Sequence, residues 1–394
     1  MSVSGIASDI VKTLKGLLPS DGTIGLHEPE FKGNERSYVN ECIDTGWVSS
    51  VGKFVDRFES ELADYTGARR AVAVVNGTSA LHMALMLAGV RPSDEIIIPA
   101  LTFVATANAV SYCGGVPHLA DASEETLGID PEKLGDYLKT ITRVEGENCI
   151  NRATGRRISA VVPMHTLGHP VDMDLLCDVA GRFNLAVVED AAESLGSYYR
   201  GRHTGTIGLL GALSFNGNKI ATTGGGGAIL TNDDKLADMA KHLTTTARIK
   251  HSWTISHDAV GYNYRMPNIN AALGCAQLER ITDFVERKRA LAARYAAAFE
   301  GIKGVRFFVE PSFARSNYWL NTLLLDEESA QFRDAVLEAT NAAGIATRPL
   351  WTLINKLRMY EGSPSMGLSV ASGLEAGAIN LPSSAILGED HVGT

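Results

Sequence analysis

The chain has 394 residues, which predicts two or three domains at about 150 residues per domain. Its 36 Lys and Arg against 45 Asp and Glu give a net charge of −9, and so acidic a protein does not favour binding to a nucleic-acid backbone. The five cysteines are scattered without a CxxC pair or a Cys/His cluster, which excludes a zinc site of the usual spacing and indicates reduced thiols. We therefore predict no metal site.

No long apolar segment of the signal-peptide type begins the chain. The longest apolar region, from Ile96 to Val110, is interrupted by Pro99 and polar residues and is too short to span a bilayer. We therefore expect a cytoplasmic protein without nucleic-acid or membrane partners.

Between residues 69 and 231, short continuous apolar runs alternate with helical patterns. Such runs are typical of strands buried on both faces, as in a parallel sheet covered by helices. The predicted strands are Ala71–Val75, Glu95–Ile98, Val116–Leu119, Ile158–Met164, Leu185–Val188, Ala212–Phe215 and Ala228–Thr231. The predicted helices among them are Ser79–Ala88, Phe103–Cys113 and Met173–Phe183. This pattern predicts a three-layer α/β/α domain.

The C-terminal third has a different pattern. It combines a long helical stretch, two strand-like runs and a further helix: Asp283–Phe299, Val305–Phe308, Tyr318–Leu325 and Ala330–Ala343. We predict an N-terminal helical segment over residues 1–25, a large α/β domain over 26–279 and a smaller α+β domain over 280–394.

Ligands of open α/β sheets bind beyond the carboxyl ends of the strands, so the residues that follow each apolar run are site candidates. The first run is followed by Asn76, Gly77, Thr78 and Ser79, which lead directly into a helix. Backbone N–H groups and two hydroxyls at a helix N-terminus predict an anion site. Simple capping of the helix by Thr78 or Ser79 is the alternative.

Asp190 follows the fifth run, within Glu189-Asp190-Ala191-Ala192-Glu193. A carboxylate at the end of a buried strand is destabilising unless it has a partner, and a cationic heterocyclic nitrogen is one such partner. Capping of the following turn is the alternative.

Lys219 lies among small and hydroxyl-bearing residues before the run Gly224–Gly227. It is the only Lys or Arg between Arg202 and Lys235. A partly desolvated lysine can act as a nucleophile and form a Schiff base, whereas an ordinary solvated charge is the alternative. The glycines allow the backbone to approach a ligand closely, and no GxGxxG motif follows a strand, which does not favour a dinucleotide-dependent oxidoreductase.

These features together fit one cofactor. A phosphate cradle, a strand-end carboxylate and an isolated lysine are what pyridoxal 5′-phosphate requires. Asp190 would keep the pyridine nitrogen protonated and Lys219 would hold the aldehyde. Phe103, just past the second strand, would stack on the ring, with a core position as the alternative.

Five segments in order, NGTSAL, PALTFVATANAV, VVEDAAES, SFNGNK with TTGGGGAILT, and GYNYRMPNINAALG, resemble the DegT/DnrJ/EryC1/StrS family. The resemblance extends from about Leu26 to Pro382. It implies an aminotransferase of fold type I that depends on pyridoxal phosphate, with pyridoxamine phosphate as the alternate cofactor form, and that acts on nucleotide-linked keto sugars. It also implies L-glutamate as donor, 2-oxoglutarate as product and a homodimer with shared active sites.

The same resemblance implies roles for individual residues. Lys219 and Asp190 match the catalytic positions, and a lysine at 219 favours transamination over the dehydration carried out by relatives with histidine there. Asn263 matches an asparagine that reaches into the neighbouring subunit's phosphate site. The matching cofactor-binding positions are Gly77, Thr78, Ser79, Phe103, Asp190, Glu193, Ser214, Lys219 and Asn263.

The segment Leu26–Glu59 is similar to the LegC-like subgroup of legionaminic-acid and bacillosamine-type pathways, which implies amination at C4 of UDP-2-acetamido-2,6-dideoxy-4-hexulose. The alternatives are GDP-4-keto-6-deoxymannose, a 3-keto sugar, or a non-catalytic regulator that binds sugar nucleotides. A histidine that many relatives carry near Arg348–Trp351 is missing. The candidate substrate contacts are Trp47, Ser49, Lys53, His165, Arg265 and Trp351, with loop packing and solvated charge as the alternative for the first three.

Overall fold

The fold is described from a computed structural model, which covers residues 3–20 and 22–389. The ends of the predicted first and third segments, residues 1–2 and 390–394, lie outside the described residues, as does residue 21. The helices are α1 (Val3–Leu17), α2 (Glu35–Asp44), α3 (Lys53–Thr66), α4 (Gly77–Leu87), α5 (Val104–Tyr112), α6 (Pro131–Ile141), α7 (Met173–Arg182), α8 (Asp234–Thr244), α9 (Asn268–Leu278), α10 (Ile281–Phe299), α11 (Arg333–Ala342) and α12 (Ser369–Gly377). The strands are β1 (Arg70–Val74), β2 (Glu95–Pro99), β3 (Val116–Ala120), β4 (Thr142–Glu145), β5 (Asn148–Asn151), β6 (Arg157–Val161), β7 (Ala186–Asp190), β8 (Tyr198–Tyr199), β9 (Arg202–His203), β10 (Leu210–Ser214), β11 (Gly227–Thr231), β12 (Val305–Phe307), β13 (Ala314–Arg315), β14 (Asn321–Leu325), β15 (Arg348–Pro349) and β16 (Ala378–Leu381).

The central sheet has the strand order β1-β11-β10-β7-β6-β2-β3, and the hairpin β4–β5 pairs with β6. Neighbours from β10 to β3 are parallel, whereas β11 is antiparallel to both β1 and β10. Each strand predicted for this part of the chain is present. The expectation of parallel pairing misses the reversal of β11, because an apolar run reports burial on both faces and carries no information on strand direction.

Helices cover both faces of this sheet. Along β1, Val72 and Val74 pack in the apolar cluster that includes α4 and α5, whereas Ala71 and Ala73 pack in the cluster that includes α3 and α9. Successive side chains of a strand point to opposite faces, so these two clusters are the two outer layers. The three-layer α/β/α prediction is confirmed.

The central sheet directs several chain segments to one edge. Strands β1, β7 and β10 all end on the same side, since β7 is parallel to β10 and β11 is antiparallel to both β1 and β10. We call this side the carboxyl edge. It collects the segments that follow Val74, Asp190 and Ser214, which are the segments that the sequence singles out.

A second sheet, in the order β12-β14-β16-β15, is antiparallel throughout and packs against α10 and α11. Helix α1 joins the same apolar cluster, where Ile6, Ile10 and Leu14 are buried with Leu291 and Ile379. The predicted N-terminal helix therefore exists and packs on the C-terminal part of the chain. The boundaries predicted at residues 25 and 279 stay predictions.

Strand β14 begins at Asn321, three residues later than the predicted strand. Tyr318 has a φ of +46°, a left-handed conformation that a strand cannot contain. Trp319 is thereby placed in a turn before the strand rather than within it.

No helix within the described ranges is long and apolar enough to cross a membrane. The cytoplasmic location and the absence of nucleic-acid, membrane and metal partners stay predictions.

Candidate active site

The start of α4 forms the first part of the site. Asn76 caps the helix, with its side-chain Oδ1 accepting a 2.7 Å hydrogen bond from the N–H of Ser79. The cap is thus Asn76 rather than Thr78 or Ser79, which lie in the first turn of the helix. That turn has N–H groups without partners inside the helix, and the helix dipole is positive there.

Two glycines allow the first turn of α4 to pack directly on the ends of the strands. A Cβ added to Gly77 would lie 2.8 Å from Cβ of Ser214, and one added to Gly227 would lie 2.5 Å from the carbonyl carbon of Asn76. Ser214 and Gly227 are paired across β10 and β11. The predicted phosphate contacts Gly77, Thr78, Ser79 and Ser214 are therefore brought together at the carboxyl edge.

Asp190 is the last residue of β7 and is only 3% exposed. Its Oδ2 accepts a 2.7 Å hydrogen bond from the Thr106 hydroxyl, and its Oδ1 accepts a 3.2 Å hydrogen bond from the N–H of Ala192. Burial raises the pKa of Asp190, while these two neutral donors and the nearby charge of Lys219 oppose the rise. A buried carboxylate held by neutral donors is suited to a cationic ligand atom.

Lys219 follows β10 and its side chain is only 13% exposed, so it is not the solvated charge of the alternative interpretation. Its Nζ lies 3.2 Å from Oε1 of Glu193 and 3.9 Å from the ring centre of Trp319. Along the chain, no Asp or Glu lies between Glu193 and Asp233. The fold supplies a carboxylate from the loop after β7.

Glu193 is the second buried carboxylate of the site. Its Oε2 accepts a 2.8 Å hydrogen bond from the N–H of Leu167, which leaves Oε1 directed at Lys219. Burial raises the pKa of Glu193 to about 7, against the lowering effect of the Lys219 charge. Glu193 therefore changes charge near neutral pH.

Two aromatic side chains lie beside each other near this edge. Phe103 precedes α5 and is 51% exposed, so it does not occupy the core position of the alternative interpretation. Its ring centre is 6.4 Å from that of Trp351, in an edge-on arrangement. The candidate stacking residue and a candidate substrate contact are thus neighbours.

Other predicted contacts lie on the surface of the single chain. Trp47, Ser49 and Asn263 are exposed, and Lys53 is exposed and paired with Glu41. The backbone carbonyls of Trp47 and Ser49 each accept a 2.7 Å hydrogen bond from Asn268 of α9. These contacts hold the loop in place and leave its side chains outward.

His165 and Arg265 have internal partners. His165 is fully buried, with Nε2 donating to Glu189 Oε2 at 2.9 Å and Nδ1 accepting from the N–H of Val171 at 3.2 Å. Arg265 pairs with Glu59 Oε1 at 2.6 Å and donates to a backbone carbonyl at 2.9 Å. A substrate contact at either residue stays a prediction that these bonds do not favour.

The group at the carboxyl edge has the chemistry that pyridoxal phosphate needs. A helix start opened by glycine suits the phosphate, a buried carboxylate with neutral donors suits the protonated ring nitrogen, and a mostly buried lysine suits the aldehyde. The residues fit this cofactor, and the α/β fold with this site defines the class: a pyridoxal-phosphate-dependent enzyme of fold type I.

Comparison with known proteins specifies the family. The sequence model of the DegT/DnrJ/EryC1/StrS aminotransferase family matches residues 29–394. The chain belongs to this family and is a pyridoxal-phosphate-dependent sugar aminotransferase, as the resemblance of its motifs implied.

Relatives named GDP-perosamine synthase match nearly the whole chain. GDP-perosamine synthase of Caulobacter vibrioides is 39% identical over 94% of this chain and 95% of that protein. GDP-perosamine synthase of Escherichia coli O157:H7 is 36% identical over 94% of this chain and 95% of that protein. Among solved structures, the aminotransferase TlmJ from Streptoalloteichus hindustanus superposes with a TM-score of 0.82 at 27% identity, covering 92% of this chain and 94% of that one.

Proposed function

We propose that this protein transfers the amino group of L-glutamate to C4 of GDP-4-keto-6-deoxymannose. The observation that carries the proposal is the identity of 39% and 36%, over 94% of this chain, to two GDP-perosamine synthases. The resemblance of the segment Leu26–Glu59 implied a UDP-linked substrate, with the GDP-linked sugar as an alternative. These relatives favour the alternative.

The cofactor-holding residues follow from the site. Gly77, Thr78 and Ser79, with Ser214 opposite, would hold the phosphate at the start of α4. Phe103 would cover the ring, and Lys219 would bind the aldehyde carbon. When bound, pyridoxal phosphate withdraws electrons from the carbon that loses or gains the amino group.

Asp190 supports this chemistry through its charge. Its burial raises its pKa, and the hydrogen bonds from Thr106 and Ala192 oppose that rise. An ionised Asp190 would keep the ring nitrogen protonated, because a neighbouring negative charge favours the cationic form of the nitrogen. The cationic nitrogen in turn offsets the penalty of burying the charge of Asp190.

Lys219 would be the proton carrier. Its Nζ would remove the proton from Cα of glutamate and, in the second half of the cycle, deliver a proton to C4 of the sugar. General acid–base work by one amine requires that it be held close to both positions and protected from bulk water. The low exposure of the Lys219 side chain, 13%, supports this role.

We infer a homodimer with shared active sites. The exposed side chain of Asn263 supports it, since the family resemblance matches this residue to one that enters the neighbouring subunit's phosphate site. Mixing Lys219→Ala with Asn263→Ala tests the arrangement: a heterodimer retains one intact site and should recover activity that neither variant has alone. No recovery in a confirmed heterodimer would contradict a shared site.

The substrate is tested by presenting GDP-linked and UDP-linked 4-keto-6-deoxy sugars with glutamate and measuring 2-oxoglutarate release. We expect kcat/KM to favour GDP-4-keto-6-deoxymannose by at least about tenfold, because the base of the nucleotide is read by direct contacts. Lys219→Ala serves as the blank. Preference for the UDP-linked acetamido sugar would overturn the proposal, and so would release with neither 4-keto sugar.

A further inference from the structure

The free amine of Lys219 lies in a defined place between two buried groups. Oε1 of Glu193 is 3.2 Å from Nζ, and the ring centre of Trp319 is 3.9 Å from Nζ. A carboxylate and the face of an indole are both groups that attract an ammonium ion. The arrangement is that of a binding site for the lysine's own head group.

We propose that Glu193 and Trp319 form a holding site for the Lys219 amine during the part of the cycle in which it is not bonded to the cofactor. Trp319 is then a positioning residue for the reaction. The proposal rests on the function proposed above for Lys219.

The Glu193 side of the holding site is fixed by a second bond. Its Oε2 accepts from the N–H of Leu167 at 2.8 Å, so the carboxylate cannot rotate without losing this bond. Leu167 itself has a φ of +57°, which aims its N–H at the carboxylate at the expense of a strained backbone. The carboxylate is therefore oriented before the amine arrives.

The Trp319 side is fixed at three points. Its indole Nε1 donates to the carbonyl of Asn218 at 2.8 Å, next to Lys219 in the chain. Its backbone N–H donates to Oδ1 of Asn317 at 2.8 Å, and its carbonyl accepts from Nζ of Lys288 at 3.1 Å. Lys288 is fully buried and burial holds its pKa well below the usual value, which suits an amine whose two partners are carbonyls.

One buried side chain joins the two sides. Asn317 binds the Trp319 N–H through Oδ1, and its Nδ2 donates at 2.9 Å to the carbonyls of both Glu193 and Leu195. Gly168 makes room for it, since a Cβ there would lie within 3.0 Å of Asn317 Cγ. The distance between carboxylate and indole is therefore set by the fold and not by Lys219.

A carboxylate and the face of an indole both attract an ammonium ion more strongly than a neutral amine. Other titratable groups that face Lys219 are Asp190 at the end of β7 and His27, whose pKa is held well below its usual value by burial and by the charges of Lys288 and Lys219. A low-pKa histidine is neutral near pH 7. The net charge around Lys219 is thus set by the two carboxylates.

Two consequences follow for the reaction. The held amine stays near the reacting carbons instead of rotating freely, which keeps its effective concentration high. It must also lose its proton before it can bond to the cofactor again. Replacing either Glu193 or Trp319 should therefore allow Lys219 to bond to the cofactor again at a lower pH.

The test is the pH dependence of cofactor uptake by the cofactor-free protein, followed by the visible absorbance of pyridoxal phosphate bound at Lys219. For Trp319→Leu we expect the midpoint of the uptake rate to move to lower pH by roughly one unit. Trp319→Phe keeps a weaker aromatic face and should move it less. Glu193→Gln, which removes the negative charge but keeps the shape, should also move it down.

Trp253→Leu is the matched control, because Trp253 is 84% exposed and the substitution is the same. Its midpoint should equal that of the unchanged protein. A midpoint of folded Trp319→Leu that is unchanged or higher would overturn the proposal, and if that variant does not fold, Trp319→Phe and Glu193→Gln decide. If the unchanged protein gives no more absorbance than Lys219→Ala, the proposed function itself has failed.

Discussion

The hydroxyl of Thr106, in helix α5, donates a 2.7 Å hydrogen bond to Oδ2 of Asp190, at the end of strand β7. The two residues are far apart in the chain and meet because β2, which leads into α5, and β7 both end at the carboxyl edge. This bond stabilises the ionised form of a carboxylate whose pKa is raised by burial. Thr106 is therefore expected to control the pH range in which Asp190 is charged.

Thr106→Val removes this bond with little change in shape. The pKa of Asp190 should rise further, so that activity at the acidic end is lost at a higher pH than in the unchanged protein. A hydrogen bond to a charged group is worth about 1.5–3 kcal/mol, or roughly one to two pH units. The measurement is the pH profile of kcat. Thr106→Ser keeps the hydroxyl and should keep the profile; identical profiles for Val and Ser would count against the role of Thr106.

Lys219→Ala should abolish turnover, because no other amine occupies its place between Glu193 and Trp319. It should also abolish the visible absorbance of cofactor bonded to the protein. Both are read on purified protein, with Lys219→Arg as a variant that keeps the positive charge and should be equally inactive. Full turnover by the alanine variant would exclude Lys219 as the catalytic amine.

Glu193 should make stability depend on pH. Burial raises its pKa from 4.5 to about 7 in the folded protein, so its contribution to stability is greatest below the unfolded value and is lost as the pH rises through 7. Between pH 5 and pH 8 this loss is about 2–3 kcal/mol. Glu193→Gln does not titrate.

Between pH 5 and pH 8, the free energy of unfolding of cofactor-free Glu193→Gln should therefore rise relative to that of the unchanged protein by about 2–3 kcal/mol. Urea unfolding at the two pH values measures the change, and the comparison cancels the titration of other groups. A constant difference between the two proteins would show that Glu193 is ionised throughout.

Gly77→Ala should weaken cofactor binding. The added Cβ would lie 2.8 Å from Cβ of Ser214, so the start of α4 must move away from the end of β10. We expect the Kd for pyridoxal phosphate to rise at least about tenfold, which corresponds to 1.4 kcal/mol of lost phosphate contacts. Gly181→Ala in α7 is the control, because nothing lies within 4 Å of its added Cβ. Equal affinities of the two variants for pyridoxal phosphate would argue against a phosphate site at the start of α4.

Arg265 is expected to act on stability. It forms a buried pair with Glu59 at 2.6 Å, and removing one partner of such a pair is destabilising by about 3–5 kcal/mol. Arg265→Ala should lower the urea midpoint strongly. Arg69→Ala breaks the pair with Asp234 on the surface and should change stability by less than about 1 kcal/mol. A raised KM with an unchanged midpoint would instead support the predicted substrate contact.

Several site residues were predictable because their signals are local. Asp190 and Ser214 end buried strands, and Asn76 to Ser79 begin a helix, so their shared edge follows from the direction of neighbouring strands. Trp319 and Thr106 were not predicted as site residues. The first lies in a turn that the apolar run conceals, and the second is an ordinary helix residue by sequence.

The sequence alone determined the α/β class, all strands of the described central sheet except the β4–β5 hairpin, the family and the identity of the lysine and carboxylate at the carboxyl edge. These depend on apolar runs and on motifs that are continuous in the chain. Only the tertiary structure decided the antiparallel direction of β11, the packing of α1 against α10 and α11, and the pairing of Lys219 with Glu193 and Trp319. The two contacts of Lys219 join residues that are 26 and 100 positions apart in the chain. Their geometry is set by packing between elements, which no local pattern encodes.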